Sequence, residues 1–99
     1  MRKKYEVRWS KESVVRIEET IDYLKFKWTQ REIEVFLDTL INFENQVSLF
    51  PEMYPESSLL QGYRRAVILK QISVFYSFED GIIKIHTLFD NRQNPSKLK

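Results

Sequence analysis

Asp80-Gly81 is the most constraining dipeptide in this chain because of what flanks it. Ile72, Val74, Tyr76 and Phe78 recur at every second residue before it, and Ile83, Ile85 and Phe89 resume the alternation after it. A period of two puts such side chains on one face of an extended strand. Asp-Gly between two such runs is a preferred two-residue hairpin loop. Both loop positions need positive φ, and the primed turn that results matches the strand twist. The pairing then follows, with Phe78 facing Ile83, Tyr76 facing Ile85, Val74 facing Thr87 and Ile72 facing Phe89. The second face collects Ser77 with Lys84, Phe75 with His86, and Ser73 with Leu88. The first face is apolar and belongs to a core; the mixed face is the one left to meet a partner.

Residues 60–70, LQGYRRAVILK, add a strand before this hairpin. A tight turn at Lys70-Gln71 sets Tyr63, Arg65, Val67 and Leu69 on the core side, although without Gly or Asn there the facing of Arg64 against Arg65 stays open. Upstream, Tyr5, Val7 and Trp9 alternate as a half-buried first strand. Ser10 then stands as the N-cap of a helix whose stripe is Val14, Ile17, Ile21, Leu24 and Trp28. Thr29-Gln30-Arg31-Glu32 is a capping-box pattern and opens a second helix, with Ile33, Phe36, Leu37, Leu40, Ile41 and Val47 on its apolar side. Pro51 and Pro55 end regular structure after Phe50. The order is β-α-α-β-β-β. It predicts an α+β fold in which a helical hairpin packs on one face of a largely antiparallel four-stranded sheet.

The 99 residues suffice for one domain, expected to span 1–99. With no cysteine there is no disulfide, thiol nucleophile or zinc–thiolate cluster. Met1-Arg2-Lys3-Lys4 leads into an amphipathic strand rather than an apolar signal core, and no run reaches the ~20 apolar residues of a membrane span. A cytoplasmic protein is expected. The net charge is only +2, yet it is unevenly distributed: residues 63–99 hold seven Lys and Arg against three acids, and residues 1–62 hold nine against eleven. The reading is a basic sheet and tail beside a mildly acidic helical half.

Few enzyme templates survive. Gly62 and Gly81 are the only glycines, too few for a phosphate loop. The single His86 has no second imidazole with which to hold a metal. Ser73, His86 and Asp90 form no triad, because plain strands supply neither a nucleophile elbow nor an oxyanion donor. His86 reads first as a partly buried strand histidine beside Phe75, and secondarily as a phosphate contact or general acid. Arg64, Arg65, Lys70, Lys84 and Arg92 gather on the sheet and its exit together with Phe75. Such a surface binds phosphates and bases or an acidic peptide. The residues alone leave open a small binding module or a metal-free nuclease.

The element order, Phe50-Pro51 after the second helix, the Tyr63-Arg64-Arg65 strand, the Asp80-Gly81 hairpin and the exit Asp90-Asn91-Arg92-Gln93-Asn94-Pro95 together resemble the RelE/ParE superfamily of toxins. The likeness spans the whole chain and is best with the ParE-like plasmid-stabilisation branch. It implies the toxin half of a type II toxin–antitoxin module, a hetero-oligomer with an antitoxin whose flexible C-terminal segment folds onto the helices and sheet. No cofactor and no metal are implied. DNA gyrase is the implied target in the ParE-like branch. The RelE-like branch instead cleaves messenger RNA on the ribosome, using an Arg in the strand before the Asp-Gly hairpin, basic residues on the preceding strand and a Tyr near the end. Here Ser73 occupies that Arg position and residues 94–99 carry no Tyr. An inactive member serving as a binding module is a third reading. The resemblance and the charges single out Arg65, Lys70, Asp90 and Arg92 as the target-binding or active surface, with Arg64, Lys84 and His86 behind them.

Overall fold

In a computed structural model of the chain, residues 4–27 and 29–90 are described, those at Leu24 and Lys27 by backbone alone. Trp28 of the expected stripe and Arg92 of the expected site lie outside the described residues, as does the side chain of Leu24. The elements run β1 (Glu6–Trp9), α1 (Lys11–Lys27), α2 (Gln30–Leu49), β2 (Arg64–Leu69), β3 (Ile72–Glu79) and β4 (Ile82–Asp90), the order expected. Two helices pack against one four-stranded sheet of order β1-β4-β3-β2. The sheet is mixed: β2–β3 and β3–β4 are antiparallel, while β1 adds to the free side of β4 in parallel, Val7 beside Ile83 and Trp9 beside Ile85. No helix among the described residues is long and apolar enough to cross a membrane.

The hairpin forms where Asp80-Gly81 puts it, with φ of 51° and 78° at the two loop positions. Its register agrees with the alternation only near the turn, where Phe78 faces Ile83, Ser77 Lys84 and Tyr76 Ile85. A β-bulge then adds one residue to β4, so that Phe75 faces Thr87, Val74 Leu88, Ser73 Phe89 and Ile72 Asp90. The expected pairs of Val74 with Thr87, Ile72 with Phe89, Phe75 with His86 and Ser73 with Leu88 are therefore corrected by one position. The extra residue is His86. Ile83, Ile85 and Leu88 all join the core, and their spacing of two and then three is the sequence trace of the bulge.

The facing of β2 is also corrected. Arg64 and Ala66 oppose Tyr76 and Val74 on the helix-covered face, so Tyr63, Arg65 and Val67 point the other way; Ala66 is fully buried and Val67 is 54% exposed. A second bulge, between Val67 and Leu69, lets Ile68 and Leu69 both pack against the core. Only Leu69 lies on the side expected of it.

Both helix starts follow their caps. Ser10 Oγ accepts from the Ser13 amide (2.9 Å), and Thr29 and Glu32 complete the capping box. Ser10 Oγ also donates to the carbonyl of His86 (2.6 Å), fastening the start of α1 to the β4 bulge. That attachment turns the helix so that fully buried Ser13, rather than Val14 (43% exposed), heads the line continued by Ile17 and Ile21. On α2, Ile33, Phe36, Leu40 and Val47 are buried as expected, Phe43 joins them, and Leu37 and Ile41 remain exposed. Phe43 packs among Trp9, Tyr54 and Tyr76 with ring centroids 5.8 to 6.4 Å apart. The Tyr76 hydroxyl donates to the Pro51 carbonyl (2.6 Å), tying the post-helix loop to the sheet.

Candidate functional site

Because the helices cover one face of the sheet, its chemistry lies on the other. Alternation brings Tyr63 and Arg65 from the β2 side, Ser73, Phe75 and Ser77 from β3, and Lys84 and His86 from β4 to that outward face. The Arg65 guanidinium lies 6.0 Å from the centre of the Phe75 ring, and its Nε donates to Ser73 Oγ (3.0 Å). Phe75 and Ser73 are fully buried under this layer. The bulge turns His86 to the same face, where its ring stacks on Tyr63 with centroids 4.7 Å apart and planes 22° apart. Next to the pair, an open cleft of about 540 Å³ is lined by Gln61, Tyr63, Arg64 and Ser77, with Glu56 and Ser57 at its edge.

The charges on this face are polarised. The hairpin end holds Glu6, Glu79 and Asp80, with Glu6 paired to Arg8 (2.5 Å), whose hydrogen bond and charge lower the Glu6 carboxyl below its ordinary value. The opposite end, around the β2–β3 turn, holds Arg65 and Lys70. Lys84 stands between them, beside Ser77.

The residues singled out from sequence thus divide. Arg65, Lys84 and His86 share the outward face and Lys70 borders it at the turn. Asp90 is on the other side, buried opposite Ile72 and lining a small cavity with Arg16, Glu19 and Thr20 of α1. Arg64 is turned toward the loop after α2. It donates to the carbonyls of Tyr54 (2.6 Å) and Glu52 (3.4 Å) and lies 5.5 Å from the Phe78 ring centre, which makes it a clamp on that loop. Tyr63 was missed as a site residue, because its contact with His86 depends on a bulge that strict alternation does not contain. No group of three or more metal-ligating side chains occurs among the described residues.

Between the helices a second surface opens. Trp9, Ile17, Leu37, Leu40 and Ile41 line an apolar groove of about 350 Å³, with Glu44 at its rim accepting from the Trp9 indole N–H. Leu37 is 38% and Ile41 58% exposed there, so two apolar residues at helical spacing stand uncovered among the described residues.

Two helices laid on one face of a mixed sheet of order β1-β4-β3-β2 form an architecture that recurs among solved structures. The chain shares its fold with solved chains from toxin–antitoxin systems. A chain of the chromosomal ParDE TA system from P. aeruginosa superposes with a TM-score of 0.74 at 9% identity, covering 87% of this chain and 95% of that one. YafQ from E. coli gives a TM-score of 0.53 at 16% identity, covering 89% and 94%. The E. coli DinJ–YafQ toxin–antitoxin complex gives 0.52 at 17% identity, covering 90% and 94%. No protein-family model and no curated protein sequence matches the chain.

Proposed function

We propose that residues 1–99 form the toxin of a type II toxin–antitoxin pair, a cytoplasmic growth inhibitor neutralised by a cognate antitoxin. The likeness to a chain of the ParDE system over 87% of this chain carries the reading. The apolar groove between the helices supports it, since Leu37 and Ile41 offer a partner's amphipathic helix the i, i+4 seam such helices use. The target-facing surface is assigned to Arg65 and Lys70 and, from the resemblance alone, to Arg92; buried Asp90 is left out of it, and the ParE-like resemblance makes DNA gyrase the target. Induced expression is expected to stop growth with DNA damage and filamentation, and co-expression of the neighbouring reading frame is expected to restore it. A chain that is harmless when expressed alone overturns the proposal.

One observation favours the RNase reading as second. Arg65 Nε reaches to 3.0 Å from Ser73 Oγ, so a guanidinium from the adjacent strand stands over the position where the RelE-like resemblance calls for an Arg. A positioned cation of this kind stabilises developing phosphate charge. Ribosome-bound messages cut within codons soon after induction would replace the gyrase target with this one.

A further inference from the structure

One row of residues crossing the outward face sets an aromatic ring beside a cation. Ser77 faces Lys84, and Lys84 faces Arg8. Arg64 faces Tyr76, so the register carried back one residue puts Tyr63 beside Ser77. Arg8 is held by Glu6, whereas Lys84 is exposed and has no ion pair among the described residues. Tyr63 gives one face of its ring to His86 and also lines the cleft of about 540 Å³, which His86 does not line, so the ring is the wall between them. Gln61 and Glu56, both exposed, line the cleft from the loop before β2. Gly62 keeps its mouth open, since a Cβ there meets nothing within 4 Å. Arg64 lines it too; its guanidinium holds the Tyr54 and Glu52 carbonyls, but no described carboxylate neutralises its charge.

We propose that this cleft takes a single mononucleotide, with its base laid on the cleft side of Tyr63 and its phosphate on Lys84. The site lies apart from Arg65 and Lys70, and it stands whether or not the chain is a toxin. Every base has a π-face to lay on a tyrosine ring, and the His86 ring behind Tyr63 holds that ring in place. The Lys84 ammonium is a compact charge on a flexible stem, one strand from Ser77, whose hydroxyl can donate to the same phosphate. Glu56 and Gln61 accept hydrogen bonds from ribose hydroxyls or base N–H groups. An acidic peptide satisfies Lys84 but leaves the Tyr63 wall unused. A longer nucleic acid strand is disfavoured in both directions along the face. Toward the hairpin it meets Glu6 and Glu79, both exposed, and the other way it crosses the closed Tyr63–His86 stack, which admits no base between its rings.

The test is a titration of the full chain, followed by NMR chemical shifts, with guanosine monophosphate, adenosine monophosphate, adenosine, inorganic phosphate and a ribohexanucleotide. Both mononucleotides are expected to shift the Gly62, Tyr63 and Ser77 amides and the Tyr63 ring saturably. Tyr63→Ala is expected to weaken them roughly tenfold, the value of one base stack, and Tyr63→Phe to leave them nearly unchanged. Lys84→Gln is expected to weaken the monophosphates roughly fivefold and to leave adenosine as it was. Should Tyr63→Ala fail to fold, Lys84→Gln, at an exposed position, decides. The proposal is overturned if neither mononucleotide gives saturable shifts, or if Lys84→Gln weakens adenosine as much as its monophosphate. Inorganic phosphate binding as tightly as the mononucleotides overturns the stacking on Tyr63. A ribohexanucleotide that binds more than tenfold tighter than either mononucleotide overturns the single-nucleotide site in favour of a strand.

Discussion

Arg64 and Arg65 are adjacent in sequence and opposite in role. Arg64 donates to two loop carbonyls on the helix-covered side, while Arg65 lies over Phe75 on the outward face. Arg64→Ala is expected to cost about 1.5–3 kcal/mol in urea unfolding, since it removes a charge-assisted hydrogen bond from the partly buried Tyr54 carbonyl. Arg65→Ala is expected to abolish growth arrest with the melting temperature nearly unchanged; a large fall in melting temperature would make Arg65 structural instead. Tyr76 makes a pH-dependent contribution of its own. Burial pushes its hydroxyl from 10.0 up to about 12, against the pull of the Arg64 charge. A folded-state value above the unfolded one stabilises the neutral form, so this contribution is whole below pH 10 and is lost as pH rises through about 12. Burial raises Tyr54 as well and adds to the same loss. Urea midpoints followed across that window should fall, and should fall less steeply in Tyr76→Phe.

The elements are joined at a few polar contacts. Ser10 Oγ serves the α1 amide of Ser13 and the His86 carbonyl at once, so one hydroxyl sets both the helix start and the bulge. Ser10→Ala is expected to cost about 1–2 kcal/mol in chemical denaturation, the value of an N-cap. It is also expected to disturb the Tyr63–His86 stack, which ring chemical shifts would report. Gly81, at φ 78°, is held where a Cβ is strained, although open space surrounds it. Gly81→Ala should therefore destabilise by about 1–2 kcal/mol through the backbone alone. A neutral outcome would mean that the turn relaxes to another type.

At the scale of the whole molecule two surfaces stand apart: an apolar groove between the helices, and an outward sheet face whose positive end is at the β2–β3 turn. If the proposed antitoxin meets that positive end, raising salt from 50 to 500 mM should weaken the complex, chiefly by slowing association. Leu37→Glu and Ile41→Glu should weaken it with little salt dependence, because the loss there is apolar contact. Titration calorimetry at several salt concentrations separates the two, and equal salt slopes for all variants would argue against two distinct surfaces.

The order of elements, the Asp80-Gly81 loop and the Thr29 capping box were legible in the sequence because each depends on neighbours within a few residues. Strand alternation near the turn was legible for the same reason. What the tertiary structure decided lies where distant segments meet. The bulge at His86 is set beside the start of α1, the facing of Arg64 and Arg65 depends on the core accepting Ala66, and the roll of α1 depends on Ser10 reaching β4. Each of these shifts a side chain from one face to the other by a single position, and a period of two or of 3.6 carries no term for such a contact. Local chemistry therefore determined which elements form, and packing between them determined which of their residues face a partner.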